Sequence, residues 1–308
     1  MSGPGSANVV IIGAGRMGLA LGAALRQQDA VDRLTYFGRG WEPPPHPIFD
    51  PQTRSGVARS GDDDVEYAGV EYRPLPSALP AGTLVVILAV PDDALAEVAW
   101  GLAGAGPAPP GCVVLHLSGA LSTDALAPLH PAGYSLGSLH PLMAVADPWL
   151  AAERLIGIAF GITGEPAAVA AARRLVQSLD GVPLVIPSTA RPLYHAAAVM
   201  ASNYLVGLTG LAVRLLGQAG IDSDDAQRAL IPLLRGTIDN IAQLGVPAAL
   251  TGPIARGDSD TIRLHLARLS PGDRVLYCGL GLELLRLARG AGLDEQRALD
   301  IESLLTSG

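Results

Sequence analysis

The sequence predicts an α/β chain in two parts: a doubly wound parallel sheet over residues 1–187 and an all-helical region over 188–308. Three observations predict it. An apolar strand, Asn8-Val-Val-Ile-Ile, runs straight into Gly13-Ala-Gly15-Arg-Met-Gly18 and then into the small-residue helical pattern Leu19-Ala-Leu-Gly22-Ala-Ala-Leu25. Short apolar strands then alternate with helical segments as far as Ile186, the pattern of a sheet covered on both faces. From Ala190 onward every apolar segment has helical spacing and none reads as a strand.

In the first strand-to-helix turn, Gly13 permits the tight bend, Gly15 lets the backbone approach a pyrophosphate and Gly18 lets the helix sit close on the strand. The helix N-terminus, where Arg16 and Met17 lie, offers free N–H groups and a positive dipole end to phosphates. With strand before and helix after, this is a dinucleotide site of the Rossmann type. About twenty residues further on, an acid would hydrogen-bond the ribose 2′-OH of NAD. Here the second strand, Leu34-Thr-Tyr-Phe37, ends instead in Gly38-Arg39-Gly40. The Arg39 guanidinium suits a 2′-phosphate, so NADP(H) is the expected cofactor; the alternative is a solvated loop arginine.

Residues 40–64, rich in Pro, Gly and Asp, read as a surface excursion. Strands follow at 83–89, 112–117, 134–139, 158–162 and 182–186, with helices at 92–103, 122–129 and 165–179 between them. An antiparallel extension at the far edge of the sheet is compatible with this order. The helical part opens on a segment of about 190–216 that is apolar on nearly all sides, as expected of a helix buried in a core or against a second subunit. Breaks follow at 217–220, 245–257, 270–272 and 290–292.

Composition excludes several classes. The 308 residues exceed what one core usually organises, and the net charge of −8 disfavours nucleic acid or an anionic membrane as partner. The N-terminal residues have neither a charged nor an apolar signal region, and the apolar runs are short or interrupted, so the cytoplasm is the expected compartment. Cys112, in a predicted strand, and Cys278, in a predicted helix, show no paired spacing; buried thiols are expected, with no metal site. All 21 basic residues are Arg. The absence of Lys excludes Schiff-base chemistry, the P-loop and the lysine acid/base that several Rossmann dehydrogenases carry on the helix after their nucleotide domain.

Ligands of such sheets sit beyond the carboxyl ends of the strands. Val90 and Pro91, after the fourth strand, are placed to flank the nicotinamide ribose, and Asp92 reads equally as a ligand contact or a helix N-cap. Ser118 and His140 each follow a later strand. In an unbroken helix, Ser202 lies about 20° and Asn203 about 80° around from His195, so all three can face one polar cleft or else satisfy one another. Arg256, in Ala249-Leu-Thr-Gly-Pro-Ile-Ala-Arg-Gly-Asp258, offers a fork for a carboxylate or pairs with Asp258 to shape its loop.

These stretches, with His116-Leu-Ser-Gly-Ala120, Ser138-Leu-His-Pro141 and Tyr194-His-Ala-Ala-Ala198, resemble a bacterial family that joins a Rossmann-like domain to a helical C-terminal domain long of unknown function. The resemblance covers essentially the whole chain. It implies an NADP oxidoreductase similar to deazaflavin-dependent NADP reductases, and some members resemble the PanG-type ketopantoate reductase. The expectation is therefore NADPH-dependent hydride transfer to the carbonyl of a small 2-oxo carboxylate, with ketopantoate to pantoate as the specific case. His195 is the expected proton donor with His140 in reserve, Asn203 and Ser118 would hold the carbonyl, and Arg256 would fix the carboxylate. The alternatives are another NADP-dependent dehydrogenase, acting on an imine or a prephenate-like acid or linked to a deazaflavin, and a non-catalytic NADP(H)-binding sensor or scaffold. A homodimer through the helical region is expected.

Overall fold

Strands of four to eight residues need neighbours to hold them, and the computed structural model, which describes residues 7–49, 70–75 and 78–307, lines them up in one sheet. They are β1 (Ala7–Ile12), β2 (Val31–Gly38), β3 (Glu71–Pro74), β4 (Thr83–Leu88), β5 (Val113–His116), β6 (Ser135–Pro141), β7 (Ala159–Gly164) and β8 (Val182–Val185). Their order is β3-β2-β1-β4-β5-β6-β7-β8. The chain winds outward from β1 to β3, then returns to β4 on the other side of β1, so the carboxyl ends of β1 and β4 flank the point where the winding reverses. Every neighbouring pair is parallel except β6 with β7. The antiparallel step thus lies one strand inside the edge, and β8 runs parallel to β7 beyond it.

Side chains alternate across each strand, and the two sets fill two cores. Val9, Ile11, Leu115, Leu139 and Ile162 pack under α1 (Arg16–Gln27), α3 (Pro148–Arg154) and α4 (Pro166–Ser178). Val10, Ile12, Val86, Leu88, Val114 and Leu136 pack under α2 (Leu95–Gly104) and a 3-10 run, Thr123–Leu129. That run was expected as an α-helix; Pro128 lies inside it and removes a donor there. Neither β3 nor α3 was expected. β3 is a four-residue edge strand with Glu and Arg in it, and α3 is a short helix whose Ala151 and Ala152, with Leu155 just after it, join the core. Part of the supposed excursion also docks: Phe49, in a 3-10 turn at Pro47–Phe49, packs edge-on against Tyr36 and Tyr72 with ring centroids 5.2 and 5.7 Å away. Residues 50–64 of that excursion lie outside the described residues.

After β8 every described element is helical. The expected 190–216 helix is two helices, α5 (Arg191–Ala201) and α6 (Asn203–Gln218), broken at Ser202, where φ −115° and ψ −72° depart from helical values. The chain divides into two units, one ending at Leu205 and one beginning at Val206. The expected boundary at 187/188 marks the end of the sheet, but α5 belongs to the first unit because Arg191 is bonded into the sheet, as described below. In the second unit α7 (Ser223–Leu244), α8 (Gly252–Arg256), α9 (Ser259–Leu266), α10 (Pro271–Gly290) and α11 (Glu295–Thr306) follow. Ile254, Ile262, Cys278, Leu285, Ile301 and Leu305 make its core, drawn from α8 to α11. Asp258, Ser270 and Asp294 cap α9, α10 and α11 with their side chains, each cap contributing about 1 kcal/mol.

Candidate functional site

The glycine turn joins β1 to α1 at the reversal point. Gly13 has φ +110°, and a Cβ there would overlap the carbonyl of Ala89; one on Gly18 would overlap Gly13 O. Both are therefore fixed by close backbone approach. Gly15 differs, since a Cβ there would meet nothing within 4 Å. The space beyond it is open on the side where α1 begins. Gly15 caps that helix without a side-chain hydrogen bond, and no acid stands in the first turn, so its N–H groups carry no internal anion. Arg16 and Arg39 are exposed, Met17 is half-buried against the core, and Val90 and Pro91 follow β4 at the same end of the sheet. The set fits a phosphate-bearing ligand: the open turn, the free N–H groups of α1 and an exposed arginine on either side of it, with no acid in the first turn of α1.

The second group of polar residues grows from the register of β5, β6 and β7. His116 pairs with Ser138, Ser138 with Thr163, and His140 with Gly161, so His116, Ser138, His140 and Thr163 point to one face. It is the face that carries Val114 and Leu136 further along the strands, and α5 lies over it. Tyr194 Oη lies 2.9 Å from His140 Nδ1. Burial raises the tyrosine pKa, so the hydroxyl keeps its proton and donates to Nδ1 while the Gly161 backbone contacts the same oxygen. His140 then carries its proton on Nε2, an assignment from the hydrogen-bond network. The His140 and His195 rings stand edge-to-face, centroids 5.8 Å apart and planes at 81°. Gly119 fits against both, because a Cβ there would overlap His195 Nδ1 and crowd His140 Nε2. His195 Nδ1 is buried without a hydrogen-bond partner.

Arg191 lies beneath this cluster, fully buried. Its Nε donates to Leu121 O at 2.7 Å, Nη1 to Ser138 Oγ at 2.7 Å and Thr163 Oγ1 at 3.3 Å, and Nη2 to Ser118 O. Burial pulls its pKa down, opposed by Tyr194 and Asp92, but a guanidinium stays charged. His116, also fully buried, has neither ring nitrogen in a hydrogen bond. Its pKa is lowered to about 4, first by burial and then by the Arg191 charge, against a small opposing contact with the Ser122 backbone. His140 is lowered to about 4 by burial, then by His195 and Arg191. Both imidazoles are neutral at pH 7.

The other expected residues are placed as follows. Ser118 Oγ donates its one proton to Asp92 Oδ2 at 2.9 Å and accepts from Leu121 N at 3.1 Å, so holding a carbonyl would mean giving up Asp92. Asp92 opens a 3-10 turn capped by Pro91, so its carboxylate serves Ser118 instead of the turn. Asn203 is exposed at the start of α6, and the break at Ser202 removes the unbroken helix on which its shared face with His195 was argued. Arg256, in the second unit, lies 4.0 Å from Asp258 with its side chain 65% exposed. Sequence reasoning gave no role to Arg191, Tyr194 or His116. One signal was available for Arg191: a cation in the first turn of a helix opposes the helix dipole, so its position needed another reason.

Comparisons with known proteins fit this architecture. A Rossmann-like domain model matches residues 72–141, and a model described as a domain of unknown function, DUF2520, matches residues 158–284. This is the expected pairing of a Rossmann-like part with a helical part, although the second match begins at β7 and so takes in the last strands of the sheet. No curated protein matches in sequence. Among solved structures, protein TM1727 from Thermotoga maritima is similar, with a TM-score of 0.66 and 23% identity over 92% of this chain and 99% of that one. A Plasmodium falciparum pyrroline carboxylate reductase with NADP bound has a TM-score of 0.56 and 12% identity over 97% and 99% of the two chains. A reductive aminase from Aspergillus terreus, in complex with NADPH and ethyl levulinate, has a TM-score of 0.56 and 17% identity over 98% and 99%. At these identities the likeness is one of fold.

Proposed function

We propose that the protein is an NADPH-dependent reductase acting on the carbonyl of a small 2-oxo carboxylate, with ketopantoate to pantoate as the first candidate. The observation that carries this reading is the pairing, at the carboxyl ends of one sheet's strands, of an open glycine turn with no acid in the first turn of its helix and a half-buried His140–Tyr194–His195 cluster. Gly13, Gly15, Gly18 and the first N–H groups of α1 would hold the pyrophosphate, Arg39 the 2′-phosphate, and Val90 and Pro91 the ribose beside the nicotinamide. NADPH supplies the hydride when bound. The chain's own part is the proton. His140, lowered to about 4, carries no imidazolium proton to give at neutral pH, and Tyr194 occupies its Nδ1. That leaves His195, whose Nδ1 has no internal partner, to protonate the developing alkoxide.

An imine is the second reading, favoured by the shared fold with a pyrroline carboxylate reductase and a reductive aminase. Purified protein with NADPH, assayed against 2-oxo acids including ketopantoate and against cyclic imines, decides between them. His195→Ala should lower turnover by roughly a hundredfold and leave NADPH affinity near wild type. Undiminished turnover would remove His195 from the chemistry. Tight NADPH binding with no substrate turned over would favour a nucleotide sensor.

A further inference from the structure

We propose that Arg191 is the positioning and specificity-determining residue of this site: its guanidinium clamps α5 to the strand ends, and its charge, bonded only to neutral oxygens, makes the site prefer an anionic or neutral substrate to a cationic iminium. The inference rests on the reductase reading above and narrows its substrate class.

The clamp follows from the hydrogen bonds. One side chain on the first residue of α5 reaches two carbonyls of the loop after β5, Ser118 O and Leu121 O, a hydroxyl on β6 and a hydroxyl on β7. Three and four residues along the same helix stand Tyr194 and His195, and the loop that Arg191 grips contains Gly119, against which both imidazoles pack. Fixing α5 to that loop therefore fixes His195 relative to His140. Only the planar fork of an arginine spans such separated acceptors at once.

The charge argument follows from what those acceptors are. All four are neutral oxygens, and a fully buried cation ordinarily has a carboxylate partner. The charged and titratable groups around it are Asp92 from the turn after β4, His116 from β5, His140 from β6, and Tyr194 and His195 from α5 itself. Asp92 is the one carboxylate among them; it is exposed, bonds Ser118 Oγ and makes no hydrogen bond to the guanidinium, although its charge partly offsets the effect of burial there. The exposed Asp92 is the more strongly screened of the two, and the Arg191 charge still acts on His116 and His140, lowering both. A second positive charge arriving as a protonated imine meets that field, and a carboxylate is drawn by it.

Arg191→Met keeps the length of the side chain and removes the charge; Arg191→Lys keeps the charge and loses the fork. Kinetics compare a 2-oxo acid with a cyclic iminium for wild type and both variants. The expected result is a kcat/KM ratio of acid to iminium that falls at least tenfold in Arg191→Met and stays within about threefold in Arg191→Lys, with kcat reduced in both by the loosened clamp. An unchanged ratio in Arg191→Met would overturn the proposal. In parallel, the histidine Cε1–H resonances of the nucleotide-free protein are followed against pH. His140 should titrate higher in Arg191→Met than in wild type and unchanged in Arg191→Lys, and an unmoved curve in a folded Arg191→Met also overturns it. The titration needs no substrate. No turnover by wild type would sink the reductase reading and the substrate preference together, and the titration would show whether Arg191 still sets the field.

Discussion

At the scale of single residues, the site divides into groups held by backbone and groups held by charge. Gly13 and Gly18 are needed because backbone comes where a side chain would be, and such positions are visible in sequence because only glycine fits them. Arg39 was visible too, as the residue after β2 where an acid would mark NAD; it is exposed, as a 2′-phosphate ligand would be. NADPH should therefore bind at least tenfold more tightly than NADH, and Arg39→Ala should abolish most of the difference, about 1.4 kcal/mol per tenfold. Calorimetric titration of both nucleotides measures it, and equal affinities in wild type would refute it. Arg191, in contrast, was marked in the sequence only by its place in the first turn of a helix, which says nothing of its partners. Its partners are a carbonyl at 118, another at 121 and hydroxyls at 138 and 163, a set that only the folded sheet brings together.

At the scale of elements, β1, β2, β4 to β8 and helices α1, α2 and α4 were legible, because the strands are short apolar runs bounded by turn residues and the helices repeat their apolar residues at about 3.6. What escaped was short or mixed: β3 with its Glu and Arg, the seven-residue α3, and the break at Ser202, which no glycine or proline announces. The apolar run of β5 was clear, but not that its last residue, His116, would be sealed inside. That burial has a consequence for stability. The folded-state pKa of His116 is about 4 against 6.5 for an ordinary histidine, so between these values the unfolded chain binds the proton and the folded one does not. Stability is complete above pH 6.5 and falls as pH drops toward 4, by up to about 1.4 kcal/mol per pH unit for this one group. His140 adds in the same direction. Thermal unfolding should show a lower Tm at pH 5 than at pH 7.5, and His116→Phe should reduce that difference. An equal drop in the variant would show that His116 is protonated in the native state.

At the scale of the whole molecule, much apolar surface lies exposed on α6, α7 and one face of α10. No residue of α6 is buried, and in the 22 residues of α7 only Ala226 is. Val206, Ile231, Leu233, Ile238, Ile241 and Leu244 are all exposed, as are Val275, Leu276 and Leu280 on α10. Scattered exposed leucines are ordinary, but consecutive helices without a buried face are not. Residues Ser188–Gln218 are long and apolar enough to cross a membrane. Arg191 within that stretch is hydrogen-bonded into the sheet, however, and the helix breaks at Ser202, so it does not form one continuous lipid-facing rod. A second copy of the chain is the occupant we propose for these faces, joined about a two-fold axis so that each covers the other's α6 and α7. Asp224, Asp225, Arg228 and Arg235 on α7 suit an interface with an apolar centre and a polar rim. Light scattering at micromolar concentration should give twice the mass of one chain. Leu233→Asp with Ile241→Asp, which place charges on exposed positions, should shift the protein to a folded monomer. A wild-type monomer would overturn the dimer, and a double variant that stays dimeric would move the interface away from α7.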